Sequence, residues 1–111
     1  MTPAGYGIVW RYRVDLAHRA EFEAAHAPGG DWAELFGRSD GYRGTELIRA
    51  ERIGEYLTVD RWVTEAAFAA FMEEWGDEYL LLDRRLEPLT FSEHLVVRGP
   101  LVDVATTADD R

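Results

Sequence analysis

The segment Tyr56-Leu57-Thr58-Val59-Asp60-Arg61-Trp62 alternates in polarity, and it runs with almost no linker into Thr64-Glu65-Ala66-Ala67-Phe68-Ala69-Ala70-Phe71-Met72-Glu73-Glu74-Trp75. Period two ends at Trp62, Thr64 is an N-cap residue type, and Phe68, Phe71, Met72 and Trp75 recur at helical spacing. A strand that carries a tryptophan to the mouth of an amphipathic helix makes one wall of an apolar cleft.

Outward from this junction the other elements follow. Gly7 to Val14 alternates, with Ile8, Trp10, Tyr12 and Val14 on one side and Val9, Arg11 and Arg13 on the other. Asp15 can cap a helix that runs to Ala27 and carries Leu16, Ala20 and Phe22; Pro28-Gly29-Gly30 stops it. Asp31 to Phe36 reads as a short second helix with Trp32, Leu35 and Phe36 on one face. Ser39-Asp40-Gly41 is a turn, Tyr42 to Arg52 a second strand, and Ile53-Gly54-Glu55 the tight connection of a hairpin. The helix from Thr64 continues to Leu86, with a break expected at Gly76 and a stop at Pro88. Thr90 to Arg98 is the last strand.

The order β-α-(α)-β-β-α-β is the α+β, ferredoxin-like arrangement, an antiparallel sheet with helices on one face. Residues 1–6 read as an N-terminal tail, 7–98 as a single domain and 99–111 as a flexible acidic C-terminal tail. Val9, Leu47, Leu57 and Val59 are assigned to one face, Trp10, Tyr12, Ile48, Tyr56 and Trp62 to the other. A sheet apolar on both sides implies a partner, most simply a second copy of the chain.

The 111 residues fit one domain that buries roughly two-thirds of its unfolded surface. With 47% hydrophobic and 13% aromatic residues, the chain is globular. There is no cysteine, which excludes disulfides, thiolate catalysis and cysteine-held metals. All twelve basic residues are arginine, so no lysine can form a Schiff base, and asparagine is also absent. A net charge of −9 argues against nucleic acid and anionic membrane surfaces. No apolar run approaches the roughly 20 residues of a membrane span, and the N-terminus lacks a signal-peptide pattern. A cytoplasmic protein is expected.

Several segments together resemble the antibiotic biosynthesis monooxygenase superfamily of dimeric α+β barrel proteins, and within it an uncharacterised bacterial branch. They are Val9 to Val14, Gly30 to Phe36, Gly41 to Leu47, and Tyr56 to Trp62 followed by Ala66-Ala67-Phe68. The resemblance spans about residues 7–97. It implies two sheets joined back to back, with a cavity between sheet and helices in each subunit. It also implies oxidation of anthrone-type aromatic polyketides by molecular oxygen without flavin or metal. An asparagine and a strand-end tryptophan are associated with that site; Trp62 matches the tryptophan, and no residue can match the asparagine. The haem-degrading branch pairs Asn, Trp and His, and Phe71 stands about where its helix histidine is expected.

These readings converge on a homodimeric, cofactor-independent monooxygenase acting on a small aromatic or polyketide-like molecule. The rivals are a polyketide cyclase or isomerase, and a non-catalytic small-molecule-binding protein. Trp62, Trp10, Tyr12, Phe71, Trp32 and Tyr79 are expected to shape the pocket, with Tyr56 as a further phenol in the cleft; the alternative for Trp62 is ordinary packing at a strand end. The nominated bases are His26, at the rim formed by Pro28-Gly29-Gly30, and Asp60, on an otherwise apolar strand face. For Asp60 an ion pair with Arg11, Arg49 or Arg61 is the expected arrangement, and a raised-pKa base the alternative. Glu23-x-x-His26 matches half of a di-iron motif without a second copy, so a solvated helix edge is expected there. No metal, flavin or haem is expected. Gly44 suits a bulge in the second strand.

Overall fold

The computed structural model describes residues 5–102, which form a four-stranded antiparallel sheet backed by helices on one face. The strands are β1 (Tyr6–Val14), β2 (Tyr42–Arg49), β3 (Glu55–Trp62) and β4 (Thr90–Pro100), in the order β2-β3-β1-β4. The helices are α1 (Arg19–His26), α2 (Asp31–Phe36) and α3 (Glu65–Leu86). This is the ferredoxin-like arrangement. Residues 1–4 and 103–111, most of the two expected tails, lie outside the described residues. Tyr6, Gly99 and Pro100 belong to strands, and the Leu101 N–H donates to the Gly5 carbonyl at 2.9 Å.

Local chemistry sets the element ends. Asp15 accepts a hydrogen bond from the Ala17 N–H, but the first turn is 3₁₀ (Leu16–His18) and His18 is non-helical at φ −116°, ψ 18°. The single helix expected from Asp15 to Ala27 is therefore split. Ala27 precedes Pro28, which disfavours the helical region, and it sits at ψ 163°. Gly30 is required by space: a Cβ there would lie 2.2 Å from the Ala24 carbonyl oxygen. The second strand stops at Arg49, short of the expected Arg52, because Ala50 N–H closes a turn onto the Glu55 carbonyl and Gly54 takes φ +81°. In α3 the Thr64 side chain caps Ala67 N–H, and the break falls at Trp75 (φ −117°, ψ 16°), next to Gly76.

The register assigns the faces. Thr45, Asp60, Ile8 and Arg98 form one cross-strand row; Leu47, Thr58, Trp10 and Leu95 the next; Arg49, Tyr56, Tyr12 and Glu93 a third. These rows face the helices. On the outer face Val59, Val9 and Val97 align, beside Leu57 and Ile48. Leu47 and Ile48 thus stand on the faces opposite to those expected. The cause is the register shift between Tyr42 and Gly44, where Gly44 takes φ +121°, since one extra residue reverses the alternation. The core between sheet and helices includes Val14, Phe22, Phe36, Tyr56, Trp62, Phe71, Leu82 and Leu86.

Candidate active site

A cavity of about 340 Å³ opens between the sheet and the helices. Its floor is the inward rows of the sheet: Thr45, Asp60, Ile8 and Arg98, then Thr58, Trp10 and Leu95, then Tyr12 and Glu93. Its roof is His26 from α1, Trp32 and Phe36 from α2, and Phe68, Met72, Tyr79 and Asp83 from α3. The kink at Trp75 divides that last contribution, with Phe68 and Met72 before it and Tyr79 and Asp83 after it.

Asp60 is 8% exposed and forms no ion pair with an arginine among the described residues. Arg49 is engaged by Glu23, Arg61 by Glu46, and Arg11 lies exposed on the outer face. The expected ion pair is corrected for a geometric reason: inward residues of a strand meet inward residues of its neighbours, and those nearest Asp60 are Thr45 and Ile8. Thr45 Oγ1 donates to Asp60 Oδ1 at 2.7 Å. Its only hydrogen is thereby used, so the short contact between Tyr42 and Thr45 hydroxyls is a donation from Tyr42. Burial pushes the Asp60 carboxyl up from 3.8 to about 6, and the Thr45 hydrogen bond holds it partly down.

His26 is buried, stacks on Phe22 at 4.0 Å between centroids, and donates from Nδ1 to the Phe22 carbonyl at 3.0 Å. That tautomer leaves Nε2 as the acceptor. Burial depresses its pKa from 6.5 to about 4, against the opposing influence of the Phe22 carbonyl and Asp31. The ring is therefore neutral at physiological pH. Burial also raises the Tyr12 and Tyr79 phenols, Tyr79 to about 12. Asp83 and Glu93 are raised by burial and by repulsion, Asp83 from Glu87, and Glu93 from Asp83 and Glu87. Trp32 Nε1 is buried without a hydrogen-bond partner among the described residues, and Thr58 Oγ1 is buried near the Tyr12 hydroxyl.

The lining thus joins His26, Asp60, Trp10, Tyr12, Trp32 and Tyr79. Trp62 and Phe71 are not part of it. Trp62 is 1% exposed and ringed by Phe36, Tyr42, Phe68 and Phe71 at 5.3–5.5 Å between centroids, behind the cavity wall. Tyr56 is buried too, but its hydroxyl donates to Glu23, which also binds Arg49. Tyrosine and arginine together hold the Glu23 carboxyl below its ordinary value. Glu23 and His26 consequently point to different surroundings. Among the described residues no three histidine, aspartate or glutamate side chains cluster as a metal site. His94 lies on the outer sheet face opposite Arg11.

No protein-family model matches the sequence, and no curated protein matches it. Solved structures do. Two structures of SnoaB, described as a cofactor-independent oxygenase from Streptomyces nogalater, share 25% identity with TM-scores of 0.66 and 0.65, covering 85% of this chain and 92% of theirs. A Listeria monocytogenes protein described as an uncharacterized ferredoxin fold protein related to antibiotic biosynthesis monooxygenases matches at 15% identity and TM-score 0.56, over 86% of this chain and 56% of that one. The chain is thus similar in fold to proteins of the antibiotic biosynthesis monooxygenase type. PA3566 from Pseudomonas aeruginosa shares the fold at 11% identity and TM-score 0.65, over 93% of this chain and 99% of that one. One SnoaB structure is of an asparagine-to-alanine variant. This chain has no asparagine at all, so the polar groups of its cavity are a different set.

Proposed function

We propose that the protein is a cofactor-independent oxygenase acting on a small aromatic or polyketide-like substrate with an acidic C–H beside a carbonyl, and that Asp60 is its base. The observation that carries this reading is the Asp60 carboxylate. It is buried in the wall of an aromatic cavity, held by one hydroxyl donor, and titrates near 6. Such a carboxylate is ionised at neutral pH yet more basic than an exposed aspartate. The similarity to SnoaB supports the oxygen chemistry.

In this mechanism Asp60 takes a proton from a CH₂ carbon and leaves a resonance-stabilised carbanion. The carbanion passes an electron to dioxygen, and the two radicals join through a new C–O bond. The peroxide then takes up a proton and loses water, leaving a carbonyl. One oxygen atom ends in the product and the other in water. Trp10, Trp32 and Tyr79 supply apolar surface for a flat substrate. The free N–H of Trp32 and the Arg98 guanidinium are donors for oxygens on which charge develops. Arg98 donates from Nε to Tyr6 OH and stacks over Phe68 at 5.2 Å.

The test is the pH dependence of kcat/KM for oxygen uptake with an anthrone. With Asp60 as base, activity rises with pH through about 6 and is flat above. A limb near 4 would assign the proton transfer to His26 instead. Thr45→Val removes the donor that holds the carboxyl down, so the limb should move to higher pH.

The active species is proposed to be a homodimer in the cytoplasm. Val9, Ile48, Leu57, Val59 and Val97 make an apolar band on the outer face of the sheet, with Ile48 and Val97 near half exposed. Burying that band against a second copy would remove it from water. Light scattering on a sizing column should give twice 12.7 kDa at micromolar concentration; a monomer at that concentration would contradict the dimer.

A further inference from the structure

His26 lines the cavity but takes no part in the mechanism above. It is the last residue of α1, and the chain turns back at once behind it. The Gly30 N–H donates to the Ala27 carbonyl at 2.8 Å, and Gly30 lies too close to the Ala24 and Ala25 carbonyls for any side chain to fit. This tight turn sets Trp32 beside His26, with ring centroids 6.3 Å apart. Phe22 covers one face of the imidazole, and Tyr12 meets it edge-on at 5.0 Å. The residue is 4% exposed, so the ring is fixed in place by its neighbours.

Its hydrogen bonding is decided by the same packing. The Phe22 carbonyl can only accept, so Nδ1 carries the proton of the neutral ring and Nε2 is an acceptor. Nε2 has no partner among the described residues. Asp31, the nearest acid to influence the ring, is paired with Arg85 and has no hydrogen to give. The hydroxyls of the floor are occupied elsewhere: Thr45 donates to Asp60, and Thr58 lies beside Tyr12. A buried acceptor without a donor is costly, and a ligand that brings a hydrogen removes that cost.

The place of His26 along the cavity is as informative as its chemistry. It stands over Tyr12, two sheet rows from Asp60. Two rows are four residues of strand, or about 13 Å. Ile8 and Trp10 floor the interval, and Trp32 and Phe36 roof it. A flat fused-ring molecule can therefore meet Asp60 at one end and His26 at the other. At the His26 end a carbonyl, ether or carboxylate offers no hydrogen, whereas a phenol offers one in the plane of its ring.

We propose that His26 is a specificity-determining residue: its Nε2 accepts the hydrogen of a phenolic hydroxyl, so the cavity selects flat aromatic ligands hydroxylated on the edge remote from Asp60. This rests on the cavity being the substrate site, and not on the oxygen chemistry. His26 reads the ligand, and Asp60 carries out the proton transfer.

The experiment is calorimetric titration of the full-length protein at neutral pH with 2-naphthol, 2-methoxynaphthalene and naphthalene, none of which has a CH₂ beside a carbonyl. The naphthol should bind about tenfold more tightly than the other two, although it is the least apolar of the three. In His26→Phe, which keeps a ring against Phe22, the naphthol should fall to the affinity of naphthalene while naphthalene keeps its own. Retained naphthalene binding shows that the variant is folded. A second measurement needs no variant: in protein labelled with ¹⁵N-histidine, the His26 Nε2 resonance should shift with naphthol and not with naphthalene. Equal affinities in the native protein, a naphthol preference that survives in His26→Phe, or an unmoved Nε2 resonance would each overturn the proposal. If the hydroxyl preference fails while the anthrone reaction keeps its limb near 6, the oxygenase reading stands without it.

Discussion

Asp60→Asn is expected to lower kcat for anthrone oxidation by about a hundred- to ten-thousand-fold, the usual contribution of a positioned base. The same substitution should make the folded protein more stable under alkaline conditions. In the native fold Asp60 titrates near 6, above its ordinary 3.8, so the folded state holds this proton more tightly than the unfolded chain does. That contribution is complete at acid pH and is lost as pH rises through 6. Above it, the buried carboxylate costs on the order of 3 kcal/mol, and an uncharged amide avoids that cost. His26 has the opposite sign: its folded pKa of about 4 lies below 6.5, so its contribution is present above 6.5 and disappears as pH falls through 4. In the native protein the two slopes oppose each other between 4 and 6. In Asp60→Asn the His26 slope is unopposed, so stability should fall by on the order of 3 kcal/mol between neutral pH and about 4. Denaturant midpoints of both proteins across that range check the signs. Lost turnover with no gain in alkaline stability would mean that the carboxylate is not buried as described.

Trp62→Ala is expected to cost roughly 3–5 kcal/mol, the range for removing a large buried aromatic. Four aromatic rings pack on the indole and no part of it reaches the cavity, so truncation leaves a void that those rings fill incompletely. Trp62→Phe should be much milder, because the Nε1–H is buried without a partner and a phenyl ring removes that unsatisfied donor. Affinity for an aromatic ligand, per folded molecule, should change little in either variant. A small stability loss combined with lost binding would return Trp62 to the cavity wall.

The contrast between Trp62 and Asp60 shows what the sequence can and cannot disclose. Alternation from Tyr56 to Trp62 correctly puts both residues on the face turned toward the helices, along with Tyr56 and Thr58. Depth along that face is a tertiary matter. Trp62 is overlaid by Phe68 and Phe71 of the helix it introduces, whereas Asp60, one step back, meets the open floor. Of the arginines expected to pair with Asp60, Arg11 and Arg61 face outward, and Arg49, though inward, stands two rows away and binds Glu23.

Glu93, Leu95 and Arg98 were beyond reach for a related reason. All three line the cavity, yet 93, 95 and 98 do not follow period two. Register shifts between Arg13 and Val14 and between Val9 and Trp10 each insert an extra residue into the β4 pairing, so alternation counted from Thr90 assigns Glu93 and Leu95 to the wrong face. The bulge at Gly44 exchanges Leu47 and Ile48 in the same way; there the glycine itself was the legible signal. Helix-borne residues were easier: His26 and Trp32 follow from where helices end and begin, and Tyr79 from its place beyond the Gly76 break.

The central claim is that this cavity carries out oxygen chemistry using only side chains, with Asp60 as the base. It is tested most directly with an oxygen electrode, using protein treated with chelator and free of visible absorbance, an anthrone as substrate, and Asp60→Asn in parallel. The account predicts oxygen uptake well above the spontaneous rate, one dioxygen consumed per anthrone converted to quinone, and loss of that excess in the variant. Uptake at the spontaneous rate in the native protein, or an excess that persists undiminished in Asp60→Asn, would contradict it.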